Sequence, residues 1–179
     1  MYWLITGFGP FEDVEDNVTE QVAPLLGAEF HILQVSYEAV DEFLENLDAD
    51  TFDALLALGH DKRATRVRIE TLGRNVIGPR PDVRGYLPAS PPSETGPDTI
   101  LASLWQQIEL EETDNWTISD DACGYLCNYM LYQAARAFPT KLVGFLHLPP
   151  AEVVSPEQQA VLIRELIKTV VKALKTQAL

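Results

Sequence analysis

Apolar and polar positions alternate along this chain in two rhythms, short apolar runs and longer stretches at helical spacing, and the two take turns. The runs predict strands at Trp3 to Thr6, Phe30 to Val35, Ala54 to Leu58, Arg66 to Thr71, Thr117 to Ser119 and Leu142 to His147. Helices are predicted near Glu20 to Leu26, Val40 to Leu47, Thr99 to Ile108, Tyr125 to Ala137 and Pro156 to Leu174. The last carries the fullest signature. Ser155, Pro156 and Gln158 supply a cap, a first-turn proline and a capping-box partner. Leu162, Leu166, Val170 and Leu174 then recur on one face, and Lys168, Lys172 and Lys175 suit the negative end of the helix. Helices between strands imply right-handed crossovers, so the expected fold class is α/β, a three-layer α/β/α arrangement around a central, mostly parallel but mixed sheet. Residues 75 to 97 hold six prolines and read as one long irregular loop, of the kind that is usually functional or mobile. No repeat, low-complexity tract or linker divides the chain, and residues 1 to 179 are expected to form a single domain.

Composition narrows the class. With 179 residues, 46% hydrophobic and 22% charged, the chain is long enough for one sizeable core. A formal net charge of −14 argues against nucleic acid or an anionic membrane as partner, since both attract positive surfaces. No run approaches the about 18 apolar residues needed to span a bilayer, and no basic flank precedes the first apolar run, so a cytoplasmic location is expected. Two cysteines four residues apart cannot make a disulfide scaffold, which fits a reducing compartment. Asn17-Val18-Thr19 matches a glycosylation sequon, which without an export signal is coincidence.

The candidate chemistry lies in SDDACGYLCNYMLYQAARAF, residues 119 to 138. Ser119, Asp120 and Asp121 are helix-start residues, Gly124 permits a tight turn, and Leu126, Met130, Leu131 and Ala134 follow at helical spacing. Cys127 then falls in the first turn of a helix. There the free backbone N–H groups and the dipole favour a thiolate, and its pKa is expected below the ordinary thiol value. His147 ends the next strand, in KLVGFLHLP, and alternating elements bring such ends to one edge of a sheet. Most free cysteines are small buried hydrophobes, and that reading stays open for Cys127 and is preferred for Cys123. The histidines and cysteines lack close metal-ligand spacing, so no metal site is expected. GFG at residues 7 to 9 lacks the full dinucleotide fingerprint.

Four landmarks occur in order: YWLITGFGPFEDVEDN at the start, RVRIETLGRN with Glu70, YLCN around Cys127 and GFLHLP around His147. In these the chain resembles the pyroglutamyl peptidase I family of cysteine peptidases over residues 2 to about 150. It departs from the family pattern in Asn17-Val18-Thr19 where Asn-Pro-Ser is usual, in residues 59 to 63 where a Gly-Gly-Arg segment is usual, and in Cys123-Gly124 where glycine and threonine are common.

The resemblance implies a triad with Cys127 as nucleophile, His147 as general base and then acid, and Glu70 as the group that orients the imidazole. It implies removal of an amino-terminal pyroglutamyl residue from small peptides with a blocked N-terminus, with no cofactor. It alone promotes Phe8 and Phe11, rings more often found in a core, to pocket candidates against the lactam faces, and it marks Asn17; Tyr125 and Leu126 add apolar surface suited to a neutral lactam, and Arg80 in the proline-rich loop is an oxyanion candidate beside helix-start N–H groups. A homo-oligomer is left open. So are two other readings: a diverged cysteine amidohydrolase acting on another cyclic or acylated amide, and a catalytically silent α/β binding protein.

Overall fold

The apolar runs become the strands of a sheet whose order is set by helical crossovers. The computed structural model describes residues 1–12 and 14–177. Its elements are β1 (Trp3–Phe8), α1 (Val18–Val22), β2 (Glu29–Leu33), α2 (Tyr37–Asn46), β3 (Ala54–His60), β4 (Val67–Glu70), β5 (Leu72–Arg74), β6 (Thr99–Leu101), β7 (Trp116–Ser119), α3 (Leu126–Ala137), β8 (Leu142–Leu148) and α4 (Pro156–Gln177). Among the described residues six strands make one sheet in the order β2-β1-β3-β8-β4-β7, and β5 pairs with β6 in a separate antiparallel ribbon. Within the large sheet only the β4–β8 pair is antiparallel. The sheet is therefore mixed and mostly parallel, as the sequence predicts.

Helices cover both faces. A side chain added at Gly7 in β1 would meet Thr19 of α1, whereas one added at Gly59 in β3 would meet Cys127 of α3. Gly7 is one register step from Thr6, which pairs with Ala57, so Gly7 and Gly59 point to opposite faces. α1 packs with α4 on one face and α2 with α3 on the other. Double cover explains why β3 and β8 are near-continuous apolar runs, buried along almost their whole length. The capping box of α4 forms as read: the Ser155 N–H donates to Gln158 Oε1 and the Gln158 N–H to Ser155 Oγ, each at 3.3 Å.

One element differs from expectation. Residues Thr99 to Ile108 do not form a helix; they form β6, a bend and a short 3-10 turn at Trp105–Gln107. Leu101, Leu104, Trp105 and Ile108 carry helical spacing, but tertiary contacts override it. Ser103 Oγ accepts from the Val143 N–H at 2.9 Å and donates to the Lys141 carbonyl at 3.0 Å, and the Leu104 N–H donates to the Val143 carbonyl at 3.0 Å. These bonds tie the segment to the start of β8, where Leu104 and Trp105 fill the space beside Gly144. The predicted strand from Arg66 to Thr71 forms as β4, Val67–Glu70, and after Thr71 the chain continues into β5, which the sequence reading does not include.

Candidate active site

Strand register puts four side chains in a row near one edge of the sheet. Gly59 of β3 lies beside His147 of β8, His147 beside Arg68 of β4, and Glu70 of β4 beside Ser119 of β7. Register partners point to the same face, and so do residues two apart on one strand. His147, Arg68, Glu70 and Ser119 therefore share the face covered by α3, with an empty slot at Gly59.

The row is held by short polar contacts. His147 Nδ1 lies 2.6 Å from Glu70 Oε1, and both side chains are buried. Arg68 Nε donates to the same Glu70 oxygen at 2.6 Å, its Nη1 donates to Asp61 Oδ2 at 2.8 Å, and its Nη2 approaches His147 Nδ1 at 3.1 Å. Burial alone would raise the Glu70 pKa. The hydrogen bond and charge of His147, the Ser119 side chain and Arg68 together hold it below the usual carboxylate range. With Glu70 accepting from Nδ1–H, Nε2 is the ring nitrogen left to face the cavity, and it is the one that can take a proton from a nucleophile.

Cys127 enters this slot from the start of α3. Tyr125 caps the helix without a side-chain hydrogen bond, and the first helical bond runs from the Tyr129 N–H to the Tyr125 carbonyl at 3.0 Å. Among the described residues the N–H groups of Leu126, Cys127 and Asn128 have no acceptor, as expected of a helix N-terminus. The sulfur sits where a Gly59 side chain would be: a Cβ there would lie 2.8 Å from Cys127 Sγ. The ionisation state differs from expectation. Burial pushes the Cys127 thiol well above its ordinary range, Cys123, Glu70 and Asp61 push the same way, and Arg68 pulls it down. Burial thus opposes the helix start, and a base beside the sulfur offsets it.

Beside the row is a cavity of about 530 Å³, within the usual range for small-molecule sites. Phe8, Phe11, Asn17, Arg80, Tyr125, Leu126, Cys127 and His147 all line it, while Glu70 stands behind His147. Phe8 is buried, whereas Phe11 and Tyr125 are half-buried. Asn17 lines the cavity but its amide is engaged: Nδ2 donates to the Gly9 carbonyl at 2.9 Å, and Oδ1 accepts from the Thr19 N–H and hydroxyl at 3.1 and 3.0 Å. It caps α1 and holds the loop after β1. Arg80 stacks over Tyr125 at 4.4 Å and pairs with Glu12 at 2.5 Å. The proline-rich loop therefore does border the cavity, secured by a 2.6 Å bond from the Gly78 N–H to the Gly124 carbonyl.

Sequence reasoning missed Arg68, Asp61 and Gly59. A signal for Arg68 is the alternation Val67-Arg68-Ile69-Glu70, which places Arg68 and Glu70 on one face of a strand. Cys123, at the cavity edge, has φ 62°, the left-handed region that favours glycine, which explains why glycine is common there in the resembled family.

These features define an α/β protein with a thiol, an imidazole and a carboxylate gathered beside a mostly apolar cavity. The pyroglutamyl peptidase family model matches residues 1–178, and the chain belongs to that family. It is 31% identical over 174 residues to a pyrrolidone-carboxylate peptidase of Thermococcus litoralis, covering 85% of this chain and 79% of the relative. It is 30% identical over 174 residues to one of Streptomyces coelicolor, covering 87% and 79%. The crystal structure of pyrrolidone carboxyl peptidase from Thermus thermophilus superimposes with a TM-score of 0.79 at 29% identity, covering 93% of this chain and 99% of that one.

Proposed function

We propose that this protein is a cysteine peptidase that cleaves the amide bond after an amino-terminal pyroglutamyl residue, with Cys127, His147 and Glu70 as its triad. The observation that carries this reading is the 2.6 Å contact between His147 and Glu70 with Cys127 Sγ seated against Gly59, the register partner of His147. Strand spacing of about 4.8 Å brings the sulfur to the imidazole's side of the sheet.

His147 Nε2 takes the Cys127 proton as the sulfur attacks the lactam-bearing carbonyl carbon. Glu70 stabilises the imidazolium that results. Oxygen charge developing on the tetrahedral intermediate is stabilised by the unpartnered N–H groups at the start of α3. The imidazolium then protonates the leaving amine and the C–N bond breaks, leaving a thioester. Water, deprotonated by the same histidine, attacks the thioester; collapse releases pyroglutamate and returns the proton to sulfur. A pyroglutamyl group carries no ammonium, so a cavity walled by Phe8, Phe11, Tyr125 and Leu126 suits it. Both cysteines are free, which suits the reducing, cytoplasmic setting we propose, and no helix among the described residues is long and apolar enough to cross a membrane.

Release of a fluorophore from a pyroglutamyl amide tests the proposal. Turnover by the parent protein and none by Cys127→Ala is the expected result; no turnover by a folded parent protein whose Cys127 is reactive would move the reading to another amide.

A further inference from the structure

We propose that Arg68 is a fourth working member of this site, a positioning residue that clamps Glu70 against His147 and balances negative charge on Cys127. The proposal rests on the triad reading above, but its geometry does not depend on which amide is cleaved.

Arg68 is the direct register partner of His147, and its guanidinium makes two charge-assisted bonds at once, to Glu70 and to Asp61, which hold its third nitrogen 3.1 Å from Nδ1 without a hydrogen bond there while Nδ1–H donates to Glu70. Glu70 is fully buried, and its second oxygen makes no hydrogen bond to the described residues, so the contacts at its first oxygen orient it. The oxygen that His147 uses is the one that Arg68 also holds. A carboxylate anchored at that atom cannot rotate away from Nδ1 without breaking a charge-assisted bond.

Charge completes the case. Asp61 and Glu70 both oppose a negative sulfur, and Arg68 is the cation set between them. When the thiol proton moves to His147, the cluster holds three anions, the thiolate, Asp61 and Glu70, against two cations, the imidazolium and Arg68. Without Arg68, three anions would face one cation at partly desolvated positions. Other groups around the sulfur are Cys123 before α3, Tyr125 at the cap with Arg80 stacked on it, and His60 at the end of β3. None of these bonds to Glu70. A purely structural ion pair could sit anywhere on β4, whereas this one lines the cavity with its head partly open to it.

The test measures alkylation of Cys127 by iodoacetamide against pH, followed by mass spectrometry of the Cys127 peptide, in the parent, Arg68→Met and Arg68→Lys. Met keeps the apolar stem without the charge; Lys keeps the charge without the fork. The alkylation midpoint is expected to rise by about one pH unit in Arg68→Met and by less in Arg68→Lys. Hydrolysis of a pyroglutamyl amide is expected to fall on the order of 10²-fold in Arg68→Met, in kcat rather than KM. Added guanidinium ion is expected to restore part of the lost rate in Arg68→Ala. Superimposable alkylation profiles in the parent and both variants would overturn the proposal, whatever happens to Tm. If Arg68→Met does not fold, Arg68→Lys decides, because a parental profile together with parental kcat leaves the fork no role. Failure of the parent itself on pyroglutamyl amides would defeat the functional reading alone, since the alkylation arm still reports on Arg68.

Discussion

Cys127 Sγ occupies the space in which a side chain on Gly59 would stand. A Cβ built at Gly59 lies 2.8 Å from the sulfur and 2.7 Å from the Phe145 ring, closer than packed atoms approach. Phe145 and Gly59 lie on the strands that flank one another, and neither the ring nor the helix start that carries Cys127 can retreat without disturbing the core. Gly59→Ala is therefore expected to cost about 1–3 kcal/mol of stability and to lower turnover to near that of Cys127→Ala. Denaturant unfolding and steady-state kinetics check both halves; parental turnover would show that the sulfur does not need this slot.

The three triad side chains should not be equal in effect. Cys127→Ala removes the nucleophile and His147→Ala removes a proton shuttle worth about 10² to 10⁴ in rate, so both should be close to inactive. Glu70→Gln keeps a group beside Nδ1 and loses the charge that stabilises the imidazolium, so a residual rate above that of His147→Ala is expected. Full activity in Glu70→Gln would take Glu70 out of the mechanism.

Acid stability should report on Glu70 as well. Its pKa in the folded protein is lowered, because the His147 contact, Ser119 and Arg68 outweigh burial. A lowered carboxylate stabilises the folded state above its unfolded-state pKa of about 4.3, and that contribution is lost as pH falls through the lower folded-state value. Glu70→Gln does not titrate, so its stability should fall less steeply on the acid side than the parent's. Urea melts at a series of pH values below about 5 would show it, and parallel acid limbs would mean that Glu70 gains nothing from its partners.

Much of this architecture was legible in the sequence, for reasons that also say where reading stopped. β3 and β8 announce themselves as apolar runs because both faces are covered, and α4 because its cap and stripe agree. Cys127 at a helix start and His147 at a strand end could be named as candidates, and both line one cavity. Register could not: nothing local says that Gly59 pairs with His147 or Arg68 with His147, because strands far apart in sequence are aligned by the packing of helices between them. The segment from Thr99 to Ile108 was misread because helical spacing of apolar residues is also met by a chain pinned through Ser103 and Leu104 to β8. For the thiol, the helix start that favours ionisation is visible in sequence and the burial that opposes it is not.

Cys123 offers a test that separates strain from function. Its φ of 62° costs a residue with a Cβ about 1 kcal/mol or more, a cost that glycine does not carry. The greater freedom of glycine in the unfolded chain offsets part of the gain, about 0.5–1 kcal/mol. Cys123→Gly is thus expected to leave stability unchanged or slightly raised and to keep most of the turnover. A thermal melt and a single kinetic trace suffice, and a large drop in Tm would mean that the thiol makes a packing contribution greater than the strain it bears.

Selectivity should follow from what the cavity lacks. A prolyl amide has the same ring size as the lactam, but it carries a charged secondary amine and no ring carbonyl. Against Phe8, Phe11, Tyr125 and Leu126 that ammonium would lose its water, and the carboxylates that line the cavity, Glu12 and Asp61, are already paired with Arg80 and Arg68. A site that hydrogen-bonds a substrate group can reject an analogue lacking it by about 10⁴ or more, so pyroglutamyl amides should exceed prolyl and glutaminyl amides by orders of magnitude in kcat/KM. Phe11 lines the cavity with Lys62 at 5.7 Å and Arg80 at 5.9 Å from its ring centroid. Phe11 lines the cavity and is not one of the proposed triad, so Phe11→Ala should raise KM more than it lowers kcat. Kinetics on a matched set of fluorogenic aminoacyl amides measures all of this; comparable turnover of prolyl and pyroglutamyl substrates would mean that the cavity recognises ring shape and not the neutral lactam.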